Sequence, residues 1–111
     1  MEPILLVFTN APDREAARKL AEGLVSARLA ACVNVLAECT SVYRWRGAIE
    51  TASEIPMLIK TRTALFAEVK AFILEHHPYE VPEVIALPVS DGSSAYLEWL
   101  VQQTHDAVQG S

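Results

Sequence analysis

Two long extended runs meet at Arg46-Gly47-Ala48, and their length limits what this chain can fold into more than any other feature. Residues 31–43 read as extended, and Tyr43 and Trp45 alternate with Arg44 and Arg46 in the period of two that a strand requires. Residues 49–61 form the second run, and Pro56 within it marks an edge position or a bulge because proline cannot donate to a ladder. Arms of about 13 to 15 residues reach roughly 45 Å at about 3.3 Å per residue, whereas a compact chain of this size has a radius of gyration of about 13 Å. The hairpin is therefore expected to project beyond its own domain. Its aromatic surface, with Tyr43 and Trp45 at the centre, calls for a cover. A second copy of the chain supplies that cover economically. A hairpin kinked back onto its own sheet is the alternative.

The flanking segments supply the remaining elements. Residues 4–8 are an uninterrupted apolar run, too short for a helix, and read as a strand buried on both faces. Asn10-Ala11-Pro12-Asp13 turns the chain, with Asn10 as candidate N-cap. Ala16, Ala17, Leu20, Ala21, Leu24 and Val25 then mark one helical stripe ending near Arg28. Leu65, Phe66, Val69, Phe72 and Ile73 give a second amphipathic helix, capped by Thr61 or Thr63 and stopped at His77-Pro78. Residues 83–89 are another strand, and Tyr96, Leu97, Leu100, Val101 and Val108 line a last helix capped by Ser93 or Ser94. The order is strand, helix, strand, strand, helix, strand, helix. That is an α+β, ferredoxin-like plan of two βαβ halves with a C-terminal helix added. At 111 residues and 51% hydrophobic the chain is expected to form a single domain over 1–111.

Charge and motif content exclude several functions. With 14 acidic and 9 basic residues the net charge is -5, which repels phosphate backbones, so nucleic acid is not an expected partner. Every Lys and Arg lies at or before Lys70, while six acids and all three histidines follow it, so the C-terminal part leans toward cations. No stretch is apolar enough for a signal peptide or a bilayer span, which points to a cytoplasmic protein. Cys32 and Cys39 are seven residues of extended chain apart and are expected as free thiols. An odd separation along an unbroken strand would also turn them to opposite faces. A Gly-rich phosphate loop, a Cys-x-x-Cys, a His-Glu-x-x-His and a serine elbow are all missing, which favours a binding protein over an enzyme.

Two groups of side chains are candidates for a site. His76 and His77 are a possible metal pair, although helical neighbours diverge by about 100° and converge only where the helix ends. The structural alternative has His76 continuing the stripe of Phe72 and Ile73, with His77 near the helix's C-terminal carbonyls. Lys60, Tyr79 and Glu83 lie close to strand ends and are candidates for lining a cleft between subunits, or for plain ion pairing.

Four segments stand together in this order: Leu29-Ala30-Ala31-Cys32-Val33-Asn34, Ser41-Val42-Tyr43-Arg44-Trp45-Arg46-Gly47, Ile59-Lys60-Thr61, and His76-His77-Pro78-Tyr79-Glu80-Val81-Pro82-Glu83. With the closing Tyr96-Leu97-Glu98-Trp99, the chain strongly resembles the CutA family of divalent-cation tolerance proteins along essentially its whole length. The resemblance implies a homotrimer of ferredoxin-like subunits locked by long hairpins, similar in architecture to PII-like signalling proteins. It also implies a role in copper and heavy-metal tolerance. The family's bacterial copper site combines a cysteine at the end of the first strand with paired histidines before Pro-Tyr. His76 and His77 match that pattern, and Thr9 stands where the thiol would be. The expected cofactor is thus a copper ion or another divalent cation on His76 and His77, near Glu80 and Glu83, without the soft ligand that favours Cu(I). The rival expectation is a PII-like trimeric sensor that binds a metabolite in its intersubunit clefts.

Overall fold

The computed structural model describes residues 2–106. β1 (Ile4–Ala11) runs through the middle of an antiparallel sheet. It pairs on one side with β4 (Ala48–Arg62) and on the other with β5 (Ile85–Val89), and β2 (Cys32–Val35) adds to the far edge of β4. The resulting strand order is β2-β4-β1-β5, with β3 (Cys39–Trp45) pairing only with the outer half of β4. α1 (Arg14–Ser26) and α2 (Phe66–His76), the latter entered through a 3-10 turn at Thr63–Leu65, cover one face. α3 (Ser94–Gln103) closes the described chain. Val108, expected on this last helix, lies outside the described residues.

Alternation decides which side of the sheet is covered. Val7 and Ile59 face α1 and α2 and pack against Leu24, Val69 and Ile73, while Ala11, Ile55 and Met57 pack against Ala17 and Leu20. The residues between them point the other way, where only the end near Ile4 and Ala31 is covered, by Leu100 of α3. β1 is therefore not buried on both faces as its apolar run suggested: Leu6 and Phe8 are half-buried, and their partners Leu87 and Ile85 are 54% and 50% exposed. No further element among the described residues remains to cover this face.

The first arm of the hairpin is not continuous, and Pro56 explains why. Leu36 donates its N–H to the Pro56 carbonyl at 2.9 Å, but Pro56 has no N–H to return, and the Leu36 carbonyl instead accepts from the Arg14 guanidinium at 3.1 Å. The register then slips by one. Val35 faces Met57, but Cys39 faces Glu54, so three residues of the first arm oppose two of the second. The slip corrects the expectation for the cysteines. Cys32 lies opposite Lys60 and Cys39 opposite Glu54, six residues apart on one strand, so both project from the same side of the ribbon. Both are free thiols.

Beyond the slip the ribbon of β3 and outer β4 leaves the sheet, but it does not run straight out. Arg46 and Gly47 take φ of 51° and 83° in a two-residue turn, and the Arg46 side chain reaches back to Glu80 of its own chain at 2.8 Å. The helix starts also differ from expectation. Asn10 is still within β1, and Asp13 caps α1 by accepting from the Ala16 N–H at 2.8 Å. Arg62 and Leu65, not Thr61 or Thr63, precede the 3-10 turn and α2, and Thr61 Oγ1 donates instead to the Leu29 carbonyl at 2.6 Å. Ser93 is the residue before α3 but makes no side-chain capping bond.

Ile59 is fully buried between the two helices. Replacing it with Ala should cost about 2–5 kcal/mol of stability, read from the midpoint of urea unfolding at unchanged slope.

Candidate functional site: a cleft under the hairpin

Three stretches far apart in sequence meet where the ribbon bends back: the end of β1, the outer half of the hairpin, and the loop after α2. Between them lies a cleft of about 760 Å³ with Asn10, Glu54, Tyr79 and Glu83 at its polar side and Val42, Tyr43, Trp45 and Val81 forming apolar walls. That volume is in the range of small-molecule sites. The hydrogen bonds that shape it are specific. Tyr79 Oη donates to Glu54 Oε2 at 2.9 Å, and Asn10 Nδ2 donates to Glu83 Oε1 at 3.0 Å. At the mouth, Arg46 holds Glu80 at 2.8 Å with its guanidinium carbon 5.2 Å from the centre of the Trp45 ring. Both members of that ion pair are about 70% exposed, so it adds little stability.

The lining is rich in acceptors. Glu54 is only 8% exposed, and among the described residues it has the Tyr79 hydroxyl as partner and no ion pair. Asn10 is equally buried, and its Oδ1 has no hydrogen-bond partner among the described residues. Burial first, then the hydrogen bond and negative charge of Glu54, push the Tyr79 phenol from 10.0 up to about 12, with Tyr43 and Asp13 adding smaller contributions. Such a site suits holding a cationic or donor-rich group.

The histidines do not converge. His77 is buried, and its Nε2 donates to the Asn10 carbonyl at 2.6 Å while its Nδ1 accepts the Tyr79 N–H at 3.1 Å, so both ring nitrogens are occupied. His76 is exposed, stacks on Phe72 at 4.2 Å and uses Nδ1 against the Phe72 carbonyl, which leaves Nε2 open. A single ion shared by these two imidazoles does not fit this arrangement. Among the described residues no group of three or more His, Cys, Asp and Glu is placed to hold a metal ion. Thr9, at the position of the expected thiol, is fully buried, and its hydroxyl has no hydrogen-bond partner among the described residues.

Of the three residues expected at a cleft between subunits, Tyr79 and Glu83 line this cleft within the chain, and Lys60 lies elsewhere. Lys60 lies six residues beyond Glu54 on β4, roughly 20 Å along at about 3.3 Å per residue. There it contacts Asn34 Oδ1 and, at 3.8 Å, Cys32 Sγ on the uncovered face. Tyr43 and Trp45 line the cleft as well as the ribbon surface. Glu54 and Asn10 were missed by sequence reasoning. An acid immediately before the buried run from Ile55 to Met57 was the available signal for the first.

The comparisons with known proteins agree with this architecture. The family model for the CutA1 divalent ion tolerance protein matches residues 5–103. The chain is similar to the divalent-cation tolerance protein CutA of Thermus thermophilus, at 43% identity over 94% of this chain and 99% of that one. It is also similar to the chloroplastic protein CutA of Arabidopsis thaliana (44% identity, 94% of this chain) and to protein CutA of Homo sapiens (46%, 87% of this chain). It spans only 57% and 54% of those two relatives' lengths. Among solved structures, CutA1 from Oryza sativa superposes with a TM-score of 0.93 at 40% identity, covering 96% of this chain and 97% of that one.

The raised Tyr79 phenol makes stability depend on pH at the alkaline end. The unfolded chain loses this proton near 10.0 and the folded one near 12, so the contribution is full below pH 10 and is lost as pH rises from 10 toward 12. Spectrophotometric titration should show one tyrosine ionising near 12. Glu54→Gln should move it back toward 10.0.

Proposed function

The chain belongs to the CutA1 divalent ion tolerance family, and from that premise we propose that it serves cation tolerance as a homotrimeric binding protein, not an enzyme, whose working site is the cleft under the hairpin. The observation that carries the reading is the meeting of Asn10, Glu54, Tyr79 and Glu83 in a cleft walled by Tyr43 and Trp45, with Glu54 buried and lacking a countercharge among the described residues. A buried carboxylate of this kind calls for a donor from outside the chain. The ferredoxin-like assignment is supported by the strand order β2-β4-β1-β5 with α1 and α2 on one face. Unbridged Cys32 and Cys39 support residence in the cytoplasm.

Trimer formation is supported by what the chain leaves open. Val42 and Ile49 on the ribbon are 67% and 68% exposed, and Ile85 and Leu87 on the sheet are half-exposed or more. A neighbour's ribbon laid along these surfaces would cover both. Light scattering should give three times 12.2 kDa at micromolar concentration, and a stable folded monomer would refute the assembly. Trp45→Ala should loosen it.

Direct binding of copper or another divalent ion through His76 and His77 is the second form of the proposal. It requires His77 to release the Asn10 carbonyl or the Tyr79 N–H, whereas His76 has a free Nε2. Calorimetric titration with Cu(II) separates the two forms. The cleft reading expects at most a weak site, removed by His76→Ala alone. A strong site of one ion per chain, lost only in the His76→Ala, His77→Ala double variant, would place the function at the histidines instead.

A further inference from the structure

Resting on the cleft as the working site, we propose that its ligand is an organic cation, a small molecule with an alkylammonium or guanidinium head. Two features of the cleft floor point to positive charge with hydrogens to donate. Glu54 is 8% exposed and receives a single hydrogen bond, from Tyr79 Oη, with no ion pair among the described residues. Beside it the buried Asn10 spends its Nδ2 on Glu83, and its Oδ1 has no partner among the described residues. Carboxylates and an amide oxygen offer only acceptors, and an alkylammonium offers only donors, up to three of them.

The walls narrow the class further. Tyr43, Trp45 and Tyr79 bring aromatic rings to the same cleft as the carboxylates, the combination by which ring faces and negative charge hold organic cations. Arg46 already shows the arrangement at the mouth, where its guanidinium lies over Trp45 and is paired to Glu80. That pair is exposed and weak, so it can yield to a competing head group. A bare divalent ion matches less well, because the space is about 760 Å³ and no three described His, Cys, Asp or Glu groups converge on one point. The high Tyr79 titration, from burial and then Glu54, is consistent with the negative character of the site.

Agmatine and spermidine are suitable probes, with glutarate and Mg²⁺ as controls, followed by calorimetry on the assembled protein. Agmatine or spermidine should bind saturably, and Glu54→Gln and Glu83→Gln should each weaken it about tenfold or more. Arg46→Ala should leave affinity unchanged or raise it, since it removes the internal competitor. Light scattering and thermal unfolding identify any variant that has lost its fold, and Glu83→Gln, on the loop, serves if Glu54→Gln is such a variant. Cation binding that both glutamine variants leave unchanged, or that Arg46→Ala weakens tenfold, would overturn the proposal. Binding of glutarate or Mg²⁺ in place of the amines, with loss in Tyr79→Phe, would overturn it while the cleft remains the working site. If no probe binds and none of these variants alters any response, the cleft reading falls as well.

Discussion

The missing N–H of Pro56 is the constraint on which the rest of this structure turns. β4 is a 15-residue strand that touches every other strand except β5, and Pro56 sits near its middle. Without a donor there, the first arm cannot keep its register, and the carbonyl it leaves unpaired is taken by Arg14. The one-residue slip separates the sheet proper from the ribbon. Inside the slip the strand serves the helix-packed core, and outside it the strand supplies Glu54 and the cleft wall.

The cleft follows from that division. Its floor belongs to β1, its carboxylate to β4, and its phenol to the loop that follows α2. The parts are joined by hydrogen bonds spanning large sequence separations: Tyr79 to Glu54, Asn10 to Glu83, and His77 to the Asn10 carbonyl. Each of these polar groups is partly or fully removed from water. Correct assembly is therefore favoured strongly over near misses that leave a group unpaired.

Much of this was legible in the residues. The long hairpin, the two amphipathic helices and the strand order along the chain follow from period and turn chemistry, and Pro56 was correctly suspected of disturbing a strand. What could not be read was where the disturbance would fall. It appears on the facing arm, at 36–38, because the donor that Pro56 lacks is needed there, and that pairing is a tertiary fact. The same holds for the site. Tyr79, Glu83 and Lys60 were recognisable as polar residues near strand ends, but strand-end position says nothing about distance along β4, and within the chain only the first two share this cleft. Asn10 was assigned to a helix cap by local chemistry, and Asp13 took that role, leaving Asn10 free for the cleft. Adjacent histidines could converge only where the helix ends, and there His77 turns inward, where its two nitrogens match one donor and one acceptor.

That inward imidazole adds a second link between two parts of the cleft already joined by Asn10 and Glu83. His77 joins the backbone at Asn10 to the backbone at Tyr79, so it spans the floor and one side of the cleft while sitting at the end of α2. Its hydrogen bonds fix one tautomer, with the proton on Nε2. A species that captures either nitrogen must break one of those bonds and so disturb the residues that shape the cleft. Capture of either nitrogen thus costs the chain one of the two bonds that tie the floor of the cleft to its side.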